Sequence, residues 1–489
     1  MDLEGRIVEL EARLGAVLAD NERLRADNDV RRAENVRLQR RVDELEGRLA
    51  KNSSNSSLPP SADDPRERAA RAKRSSQRTN GGRKPGGQRG RKGSTMVRVD
   101  DPDRIIEHFP AACGGCGEAV DPANVRGRRV RRQVFDLVDR PVEVTEHQAV
   151  TCRCACGHDT TGLFPPEANA AAVWGPKAAA LAVLLVIGHH VPYKRAAELL
   201  ASIGAAVSVG WIVAQVARAA ALLAGWLAGL RVKLHRAAVL HADETSARVG
   251  ATLWWFHVAS TTTLTLLVAH RSRGHVAVDD AGVLEHAQGV LVHDRAAMYW
   301  NYAGNRHALC VAHLCRDLNG ITTADRHRDW AQDLKAVLYD AKRLCDDARE
   351  RGDPALHPDT LNDIETRYRT ALRHALDVVD HRDADVKGIH RDAANLAGAF
   401  FDYDHEILRF ARDLNIPFDN NQAERDLRMA KISQKISYGC RTQAGVTRFA
   451  AIRSYIETGR KHGANALDLL HQLFTTGPWP IPHTVTTSG

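Results

Sequence analysis

Three acidic residues stand in local settings that suit metal-dependent chemistry. Asp243 interrupts the apolar run AAVLHADETSARV, Asp294 ends the apolar run GVLVHD, and Glu424 lies in the polar helical segment DNNQAERDLRMAK. Carboxylates on two strands and one helix form an oxygen cage for two divalent cations. Such a pair supports in-line attack on a phosphodiester. The three residues are therefore the predicted catalytic and metal-binding carboxylates.

Each predicted ligand has acidic neighbours that compete for the same role. Glu244 follows Asp243 directly, but side chains alternate along a strand, so only one of the two faces the metals. An aspartate inside a strand is costly unless it binds something, which favours Asp243 as a ligand. The other rivals lie on helical stretches whose polar faces are expected to be solvated: Asp279, Asp280, Glu365 and Glu406.

Polar residues near these positions are predicted to support the site. His313 and Arg316 lie in CVAHLCRDL, and a zinc site there would need two ligands that the sequence does not offer. We expect them to support the active site or to contact DNA, with plain packing as the alternative. Asn421 belongs to a helix-start signature, and Arg428 lies one turn past Glu424, where it would steady that carboxylate or hold a phosphate.

Cysteine spacing predicts one structural zinc ion. CGGC supplies Cys113 and Cys116, and CRCACGH supplies the other half of the site. The stretch VRRQVFDLVDRPVEVTEHQAV between them has the pattern of a strand hairpin. Four thiolates would leave no open position on the metal. The expected ligands are Cys113, Cys116, Cys154 and Cys156, with Cys152 and His158 as alternatives for the last two.

Positive charge is concentrated in one segment. The chain carries a net charge of +8, and residues 66–93 hold eleven Lys or Arg and one Glu, so this segment carries +10 and the remainder −2. Such density indicates a polyanionic partner, and the sequence GGRKPGGQRGRKG resembles an arm that enters a DNA minor groove. A solvated linker is the alternative. The predicted DNA-contacting residues are Arg83, Lys84, Arg89, Arg91 and Lys92.

A heptad pattern marks the N-terminal segment. Apolar residues recur over residues 3–49, and Asn21, Asn28 and Asn35 share one heptad position. This pattern predicts a coiled coil, and the asparagines favour a parallel homodimer or a higher oligomer. An intramolecular helical hairpin is the alternative.

The charged N-terminus does not resemble a secretory signal, and no apolar run is long enough to span a bilayer. We therefore expect a bacterial cytoplasmic, nucleoid-associated protein with no membrane partner.

The expected fold is multidomain α+β, with an α/β catalytic domain that a helical insertion divides. Pro176 suits a first helical turn and Ser208 suits a helix cap, so helix, short turn and helix near residues 192–224 predict a helix-turn-helix, against an ordinary three-helix bundle. The predicted domains are, in order, a coiled coil (1–51), a basic linker and DNA arm (52–100), a zinc ribbon (101–165), the helix-turn-helix region (166–232), the first catalytic part (233–324), the helical insertion (325–413), the Glu-bearing helix with C-terminal helices (414–474) and a tail (475–489).

Several motifs together resemble the transposases of the insertion sequence 66 family over almost the full chain. They are KNSSNSSLPPS, GGRKPGGQRGRKGST, the CxxC segment, HADETSARV, VLVHD, CVAHLCRDL, IPFDNNQAERDLRMAKISQKISYG and AAIRSYIETGRKHGANALDLL. The resemblance implies a ribonuclease H-like fold, a magnesium-dependent DDE triad of Asp243, Asp294 and Glu424, and a need for accessory proteins of the same element. Two features depart from the family: Val311 stands where an aromatic is common, and CRCACGH holds one extra cysteine.

The expected function is a DNA transposase that cleaves element ends and transfers the strands into target DNA. One alternative is a dimeric DNA-binding regulator with a vestigial catalytic domain, which the intact triad opposes. The other is a ribonuclease H-like nuclease without strand transfer. The zinc and helix-turn-helix segments oppose it, because a simple nuclease needs no module for recognising ends.

Overall fold

The structure is a computed structural model of the 489-residue chain. It describes residues 3–50, 99–101, 105–106, 116–119, 132, 141–153, 159–161, 163–166, 168–322, 325–379, 388–437 and 439–482. The chain divides into two compact units, residues 66–146 and the remainder. The predicted basic arm lies outside the described residues, as do Cys113, Cys154, Cys156 and His158 of the predicted zinc site.

The N-terminal segment forms one helix, α1, over Leu3–Ala50. The helix is uninterrupted, so these residues do not fold back as a helical hairpin. The heptad positions whose side chains are described face solvent: Leu14 is 60% exposed and Leu24 is 58% exposed. An isolated helix that exposes a continuous apolar seam lacks the burial that stabilises most helices, so the seam calls for a partner helix.

Two short strands flank the second cysteine group. Strand β1 (Thr151–Arg153) pairs antiparallel with β2 (Asp159–Thr161). This pair lies after the stretch predicted to form the hairpin. Residues 141–150, which belong to that stretch, form no strand, so the prediction is wrong for this part. Cys116 and Cys152 are exposed, and the zinc ligand set stays a prediction.

A helical region precedes the central sheet. Helix α2 (Pro176–Val183) continues into a π-helical turn, Leu184–Gly188, and is followed by α3 (Tyr193–Ser202), α4 (Val209–Leu222) and α5 (Ala224–His235). The two predicted helix starts are confirmed, because Pro176 is the first residue of α2 and the Ser208 hydroxyl accepts the Trp211 N–H at 3.1 Å.

Within the described residues, no single helix is long and apolar enough to cross a membrane. One bent pair of helices, Val209–Leu222 with Ala224–His235, is long and apolar enough by length and composition only.

A five-stranded mixed sheet forms the centre of the fold. Its strands are β3 (Val239–Val249), β4 (Thr252–Ser260), β5 (Thr265–His270), β6 (Val290–His293) and β7 (Arg306–Leu309), in the spatial order β5-β4-β3-β6-β7. The first three strands form an antiparallel meander, and β6 and β7 continue the sheet parallel to β3. The predicted strands in the apolar runs AAVLHADETSARV and GVLVHD are confirmed as β3 and β6, to within two residues at each end.

The connections between the parallel strands are short. Between β5 and β6 the chain forms α6 (His275–Ala281), which ends at Gly282 with φ +66°, and then a 3₁₀ turn, Leu284–His286. The link between β6 and β7 contains only a 3₁₀ turn, Ala297–Asn301. The link between His293 and Arg306 is about the shortest that can carry a parallel crossover, so it has no room for a longer helix.

A helical insertion follows the sheet. After β7, α7 (Val311–Ile321) leads into α8 (Asp325–Arg351), α9 (Pro358–Val378), α10 (Ile389–Asp402), α11 (Asp404–Ile407) and α12 (Arg409–Arg412). These helices share one core with strands β6 and β7, and Trp330, Tyr368 and Phe400 are almost fully enclosed in it. The prediction that this segment is helical is confirmed for its described residues.

Three C-terminal helices return to the sheet: α13 (Asn421–Ser437), α14 (Gln443–Lys461) and α15 (Ala466–Thr475). Helix α14 covers the edge strand β5, where the hydroxyls of Ser454 and Thr458 accept the N–H groups of Leu267 and Thr265. These bonds satisfy backbone groups that an open sheet edge would leave free. Helix α14 thereby covers the β5 edge of the sheet. The predicted site lies elsewhere on the sheet, at β3 and at the carboxyl end of β6.

Candidate active site

The sheet register brings Asp243 and Asp294 side by side. Strands β3 and β6 are parallel, with His241 opposite Val292. Asp243 and Asp294 each lie two residues further along, so they occupy matching positions at one level, and side chains two apart share a face of the sheet. Both carboxylates are half-buried.

The burial of Asp243 has an electrostatic consequence. The pKa of Asp243 is raised well above its usual value, first by burial, then by the negative charges of Asp294 and Glu244. Its Oδ1 accepts the N–H of Glu244 at 2.8 Å, which opposes the shift. Two acidic groups held together away from water favour a compensating cation, a proton or a metal ion, between them.

The turn after β6 fixes the position of Asp294. Asp294 Oδ1 accepts the N–H of Ala296 at 3.0 Å, and His293 Nδ1 accepts the N–H of Arg295 at 3.1 Å. Arg295 between them has φ +76°, a left-handed conformation that is costly for a residue with a Cβ. Backbone strain of this kind persists where surrounding contacts impose it, and here it lies beside a predicted catalytic residue.

A buried histidine pair braces the same turn. His293 Nε2 lies 3.1 Å from His307 Nδ1, and His307 Nε2 lies 3.3 Å from the Tyr302 carbonyl. Because His293 Nδ1 accepts from Arg295, its Nε2 carries the proton and donates to His307. Burial lowers the pKa of His293 to about 3, so the ring is neutral at physiological pH.

Glu244 is held beside the predicted site by two neighbours. Its side chain is 2% exposed, and Oε1 lies 2.8 Å from the Arg273 guanidinium. Its Oε2 accepts the Tyr299 hydroxyl at 2.7 Å. Burial and then the negative charge of Asp294 raise the pKa of Glu244. Both carboxylate oxygens of Glu244 are therefore occupied, and the choice of Asp243 over Glu244 as a metal ligand stays a prediction.

Asn420 joins the helix that carries Glu424 to the central strand. The Asn420 amide donates from Nδ2 to the Ala242 carbonyl at 2.8 Å, and its Oδ1 lies 2.9 Å from His241 Nδ1. The Asn420 backbone N–H donates to Cys310 Sγ at 3.1 Å. Asn420 is almost fully buried. These bonds hold the start of α13 against β3. The Ala242 carbonyl that accepts one of them belongs to the residue directly before Asp243.

A second chain of contacts reaches Glu424 itself. Glu424 lies in the first turn of α13, with Oε1 3.5 Å from His313 Nε2. His313 Nδ1 lies 3.1 Å from Cys310 Sγ. Burial raises the pKa of Cys310 to about 12, and burial followed by the charge of Arg316 lowers the pKa of His313. A neutral thiol and a neutral imidazole fit one order of hydrogen bonds. The Asn420 backbone N–H donates to Cys310 Sγ, and the Cys310 thiol donates to His313 Nδ1. His313 Nε2 then faces the Glu424 carboxylate.

The predicted supporting residues fall in different places. His313 contacts Glu424, and Arg316 lies one turn further along α7, half-exposed. Asn421 is exposed, whereas its neighbour Asn420 makes the buried contacts. Arg428 is exposed and, among the described residues, makes no ion pair with Glu424. The adjacent asparagines Asn420 and Asn421 indicated a role for one of them. The sequence did not indicate which of the two faces inward.

The described residues offer part of a cation site. No group of three or more His, Cys, Asp or Glu side chains within them is arranged to hold a metal ion. The acidic pair on β3 and β6 nevertheless suits a divalent cation by its chemistry, since oxygen ligands and uncompensated negative charge are what Mg²⁺ requires. Glu424 lies on the neighbouring helix, held by His313.

Comparison with known families agrees with this geometry. The sequence model described as "Transposase IS66 family" matches residues 171–448, more than half of the chain, and spans all three predicted catalytic carboxylates. A family of unknown function matches residues 6–96, which include most of α1 and the basic segment. No curated relative matches the chain.

Proposed function

The chain belongs to the IS66 family of transposases, and on that basis we propose that it cleaves DNA at the ends of a mobile element and joins the freed strands to target DNA. The observation that carries the proposal is the alignment of Asp243 and Asp294 on adjacent parallel strands. The strand order, a three-stranded antiparallel meander continued by two parallel strands, supports a ribonuclease H-like catalytic domain of the DDE type.

The predicted triad would hold two Mg²⁺ ions. Asp243 would bind both, and Asp294 and Glu424 would each favour one. When bound, such ions supply positive charge to the attacking and leaving oxygens of an in-line displacement. The raised pKa of Asp243 fits this role, because burial and the negative charges of Asp294 and Glu244 penalise its ionised form, and a bound divalent cation would offset that penalty.

The remaining residues of the site would act by positioning the predicted catalytic carboxylates. Asn420 fastens α13 to β3, and Cys310 holds the His313 ring that faces Glu424. Arg273 and Tyr299 occupy both carboxylate oxygens of Glu244, which would keep Glu244 from competing for the cations. The strained turn at Arg295 keeps the Asp294 carboxylate at the strand end.

DNA recognition is proposed for three further segments. The basic arm would contact phosphates, and the predicted zinc ribbon would stabilise the region beside it with one structural Zn²⁺. In the helix-turn-helix, the exposed cations Lys194 and Arg195 lie on α3. The exposed positions of α4 include apolar Val209 and Val213, which suits protein contact better than a DNA groove. We therefore place any phosphate contact of this region on α3.

Assembly is the last part of the proposal. The exposed apolar seam of α1 supports a parallel homodimer or higher oligomer, which would bring two catalytic domains to paired element ends. Accessory proteins of the same element are proposed from the family resemblance alone.

A strand-joining assay tests the function. The purified full-length protein and the accessory proteins of the same element are incubated with Mg²⁺, labelled DNA carrying the inverted repeats that flank its gene, and a supercoiled target. A transposase gives nicked ends and end–target joints. Nicks without joints would indicate a nuclease, and specific binding without either product would indicate a regulator. Both of these results contradict the proposal.

A further inference from the structure

A buried ion pair lies on the opposite side of helix α13 from Glu424, and we propose that it fixes the rotation of α13 and so aims the Glu424 carboxylate at the predicted cation site. Asp426 of α13 and Lys461, the last residue of α14, form the pair, with Lys461 Nζ 2.8 Å from Asp426 Oδ2. We call it the α13–α14 ion pair. Its two members are positioning residues, since they act on Glu424 through the helix. The inference rests on the proposed function, because that function makes Glu424 a metal ligand.

The α13–α14 ion pair is shielded from water. The Asp426 side chain is 6% exposed and the Lys461 side chain is 12% exposed. Charged side chains are almost never enclosed to this degree unless they are paired. The ion pair of Arg343 and Asp340 in the helical insertion is different, because its side chains are 62% and 29% exposed. A pair on a solvated surface contributes little, whereas an enclosed pair must keep a close geometry to offset the loss of water.

All three N–H groups of the Lys461 ammonium have acceptors. Nζ donates to the Thr261 carbonyl at 2.8 Å, to the Leu264 carbonyl at 2.9 Å and to Asp426 Oδ2 at 2.8 Å. The same Oδ2 accepts the Thr265 hydroxyl at 3.2 Å. Thr261 and Leu264 lie in the turn between β4 and β5, and Thr265 is the first residue of β5. The pair therefore joins α13 to α14 and to the central sheet at one point.

Glu424 and Asp426 point to opposite sides of α13. A helix turns by about 100° per residue, so side chains two residues apart are separated by roughly 200°. Glu424 Oε1 lies 3.5 Å from His313 Nε2 on α7, and Asp426 binds Lys461 on α14. Helix α13 is thus held between α7 and α14, and a rotation that moved Glu424 would break the bonds of Asp426.

The start of α13 supplies a second fixed point. Asn420, directly before the helix, donates from Nδ2 to the Ala242 carbonyl on β3 at 2.8 Å. A helix attached at one point can still turn about its axis, and the attachment at Asp426 removes that freedom. Side chains that bind a metal must be held to within about 0.5 Å of their working positions. We therefore assign the position of the helix start to Asn420 and its rotation to the α13–α14 ion pair.

The chemistry of the pair suits orientation better than stability. The cost of removing two charges from water largely offsets their attraction, so apolar side chains of similar size often give equal or greater stability. Apolar contacts have no preferred direction. The hydrogen bonds of Lys461 and Asp426 are directional and admit one arrangement. Orientation and stability can therefore be separated by replacing the whole pair.

A Mg²⁺ titration of protein stability tests the inference without DNA. The Tm of full-length protein is measured over a series of Mg²⁺ concentrations, because a cation that binds only the folded protein raises Tm. Lys461→Met breaks the pair, and Asp426→Leu combined with Lys461→Met replaces it. The control is Glu365→Leu combined with Arg412→Met, which replaces a partly buried ion pair of the insertion, 2.8 Å long. The readouts are the metal-free Tm and the Mg²⁺ concentration that gives half of the Tm rise.

The expected result is a separation of the two readouts. Lys461→Met leaves the Asp426 carboxylate buried without its cation, so the metal-free Tm should fall. In the pair-replaced protein the metal-free Tm should return close to the wild-type value. Its half-point for Mg²⁺ should stay about 10- to 100-fold above that of wild type, as for other changes around metal ligands. The control should keep the wild-type half-point.

Two results would overturn the inference. If the half-point for Mg²⁺ returns to the wild-type value together with Tm, the pair supplies stability alone. An equal rise of the half-point in the control would make the effect a general one. If the pair-replaced protein does not fold, Asp426→Asn takes its place. Asparagine keeps the shape and one carbonyl oxygen but loses the charge that Lys461 binds, so the half-point should still rise, and an unchanged half-point rejects the role.

The same measurements separate this inference from the proposed function. Wild-type protein that joins strands, with an unchanged half-point in the pair-replaced variant, would keep the function and reject the role of the pair. Protein that forms no joints, yet binds Mg²⁺ and loses affinity when the pair is replaced, would do the reverse. A wild-type Tm that does not respond to Mg²⁺ would contradict both.

Discussion

His313 Nε2 lies 3.5 Å from Oε1 of Glu424, and the other ring nitrogen of His313 lies 3.1 Å from the buried thiol of Cys310. The carboxylate on α13 is thus oriented by a side chain on α7, the helix that directly follows the last strand. Cys310 also accepts the backbone N–H of Asn420. One thiol therefore links the loop before α13, the imidazole and the predicted metal ligand.

Cys310→Ala should lower DNA cleavage without abolishing DNA binding. The substitution removes the group that holds His313, and changes around a metal ligand cost about 10- to 100-fold in activity or metal affinity. Cys310→Ser keeps a hydrogen-bonding group and should recover most of the loss. Cys315→Ala, at a buried thiol on the same helix, controls for lost volume. The Mg²⁺ concentration that gives half-maximal cleavage is the readout. An equal effect of both alanine variants would leave Cys310 with a packing role only.

Asp243→Asn should raise the Tm of the metal-free protein and remove its response to Mg²⁺. The raised pKa of Asp243 means that folding penalises its charge, and asparagine has no charge to penalise. A cation that binds only the folded protein raises Tm, so wild type should respond to added Mg²⁺. Asp280→Asn, at an exposed carboxylate near His270, is the control. A Mg²⁺ shift that survives in Asp243→Asn would place the cation elsewhere.

A peptide of residues 1–52 should be helical and dimeric. The heptad seam of α1 is exposed in the single chain and needs a partner. Replacing Asn21, Asn28 and Asn35 together by Leu should raise the peptide's melting temperature and broaden its oligomeric states, because paired asparagines fix register at a cost in stability. Sedimentation equilibrium gives the oligomeric state. A monomeric wild-type peptide would refute the coiled coil.

The sequence predicted β3 and β6 well because each is an apolar run bounded by turn residues. It also predicted the Ser208 cap and the start of α13, since those signals are local. The sequence did not predict the parallel register of β3 and β6, which brings Asp243 close to Asp294.

Other features depend on contacts that are distant in sequence. Nothing near Glu244 shows that Arg273 and Tyr299 bind it. To choose between Asn420 and Asn421, one must know which residue at the start of α13 faces β3. The sequence does not indicate this to within one residue. The left-handed Arg295 carries no glycine-like signal. The hairpin predicted for residues 130–150 is wrong at residues 141–150, because β-propensity without a packed face does not secure a strand.

His190 should make the protein sensitive to acid. It is buried, both ring nitrogens lack a partner among the described residues, and burial, followed by the charge of Arg453, lowers its pKa to about 4. The unfolded chain takes up a proton near pH 6.5, and the folded chain does not, so stability is full above that pH and falls as pH drops toward 4. The loss at pH 5 is about 2 kcal/mol.

The substitution His190→Asn should remove most of this pH dependence. Asparagine tolerates the left-handed backbone that His190 adopts, with φ +60°. His189→Asn, at the exposed neighbouring position, is the matched control and should titrate like wild type. Denaturant unfolding at pH 7.5 and pH 5 gives the free energies. A wild-type pH dependence in His190→Asn would assign the acid sensitivity to other groups.

The central claim is that Asp243, Asp294 and Glu424 act together on a phosphodiester. The most direct measurement is the Mg²⁺-dependent cleavage rate of element-end DNA by Asp243→Asn, Asp294→Asn and Glu424→Gln, beside the controls Asp279→Asn and Glu406→Gln. Each triad change removes a charged ligand and keeps the side-chain shape, so the rate should fall by more than the roughly 100-fold typical of residues around a ligand, with DNA binding intact. The controls should stay within a few-fold of wild type. A triad variant that cleaves at a near-normal rate would contradict the account.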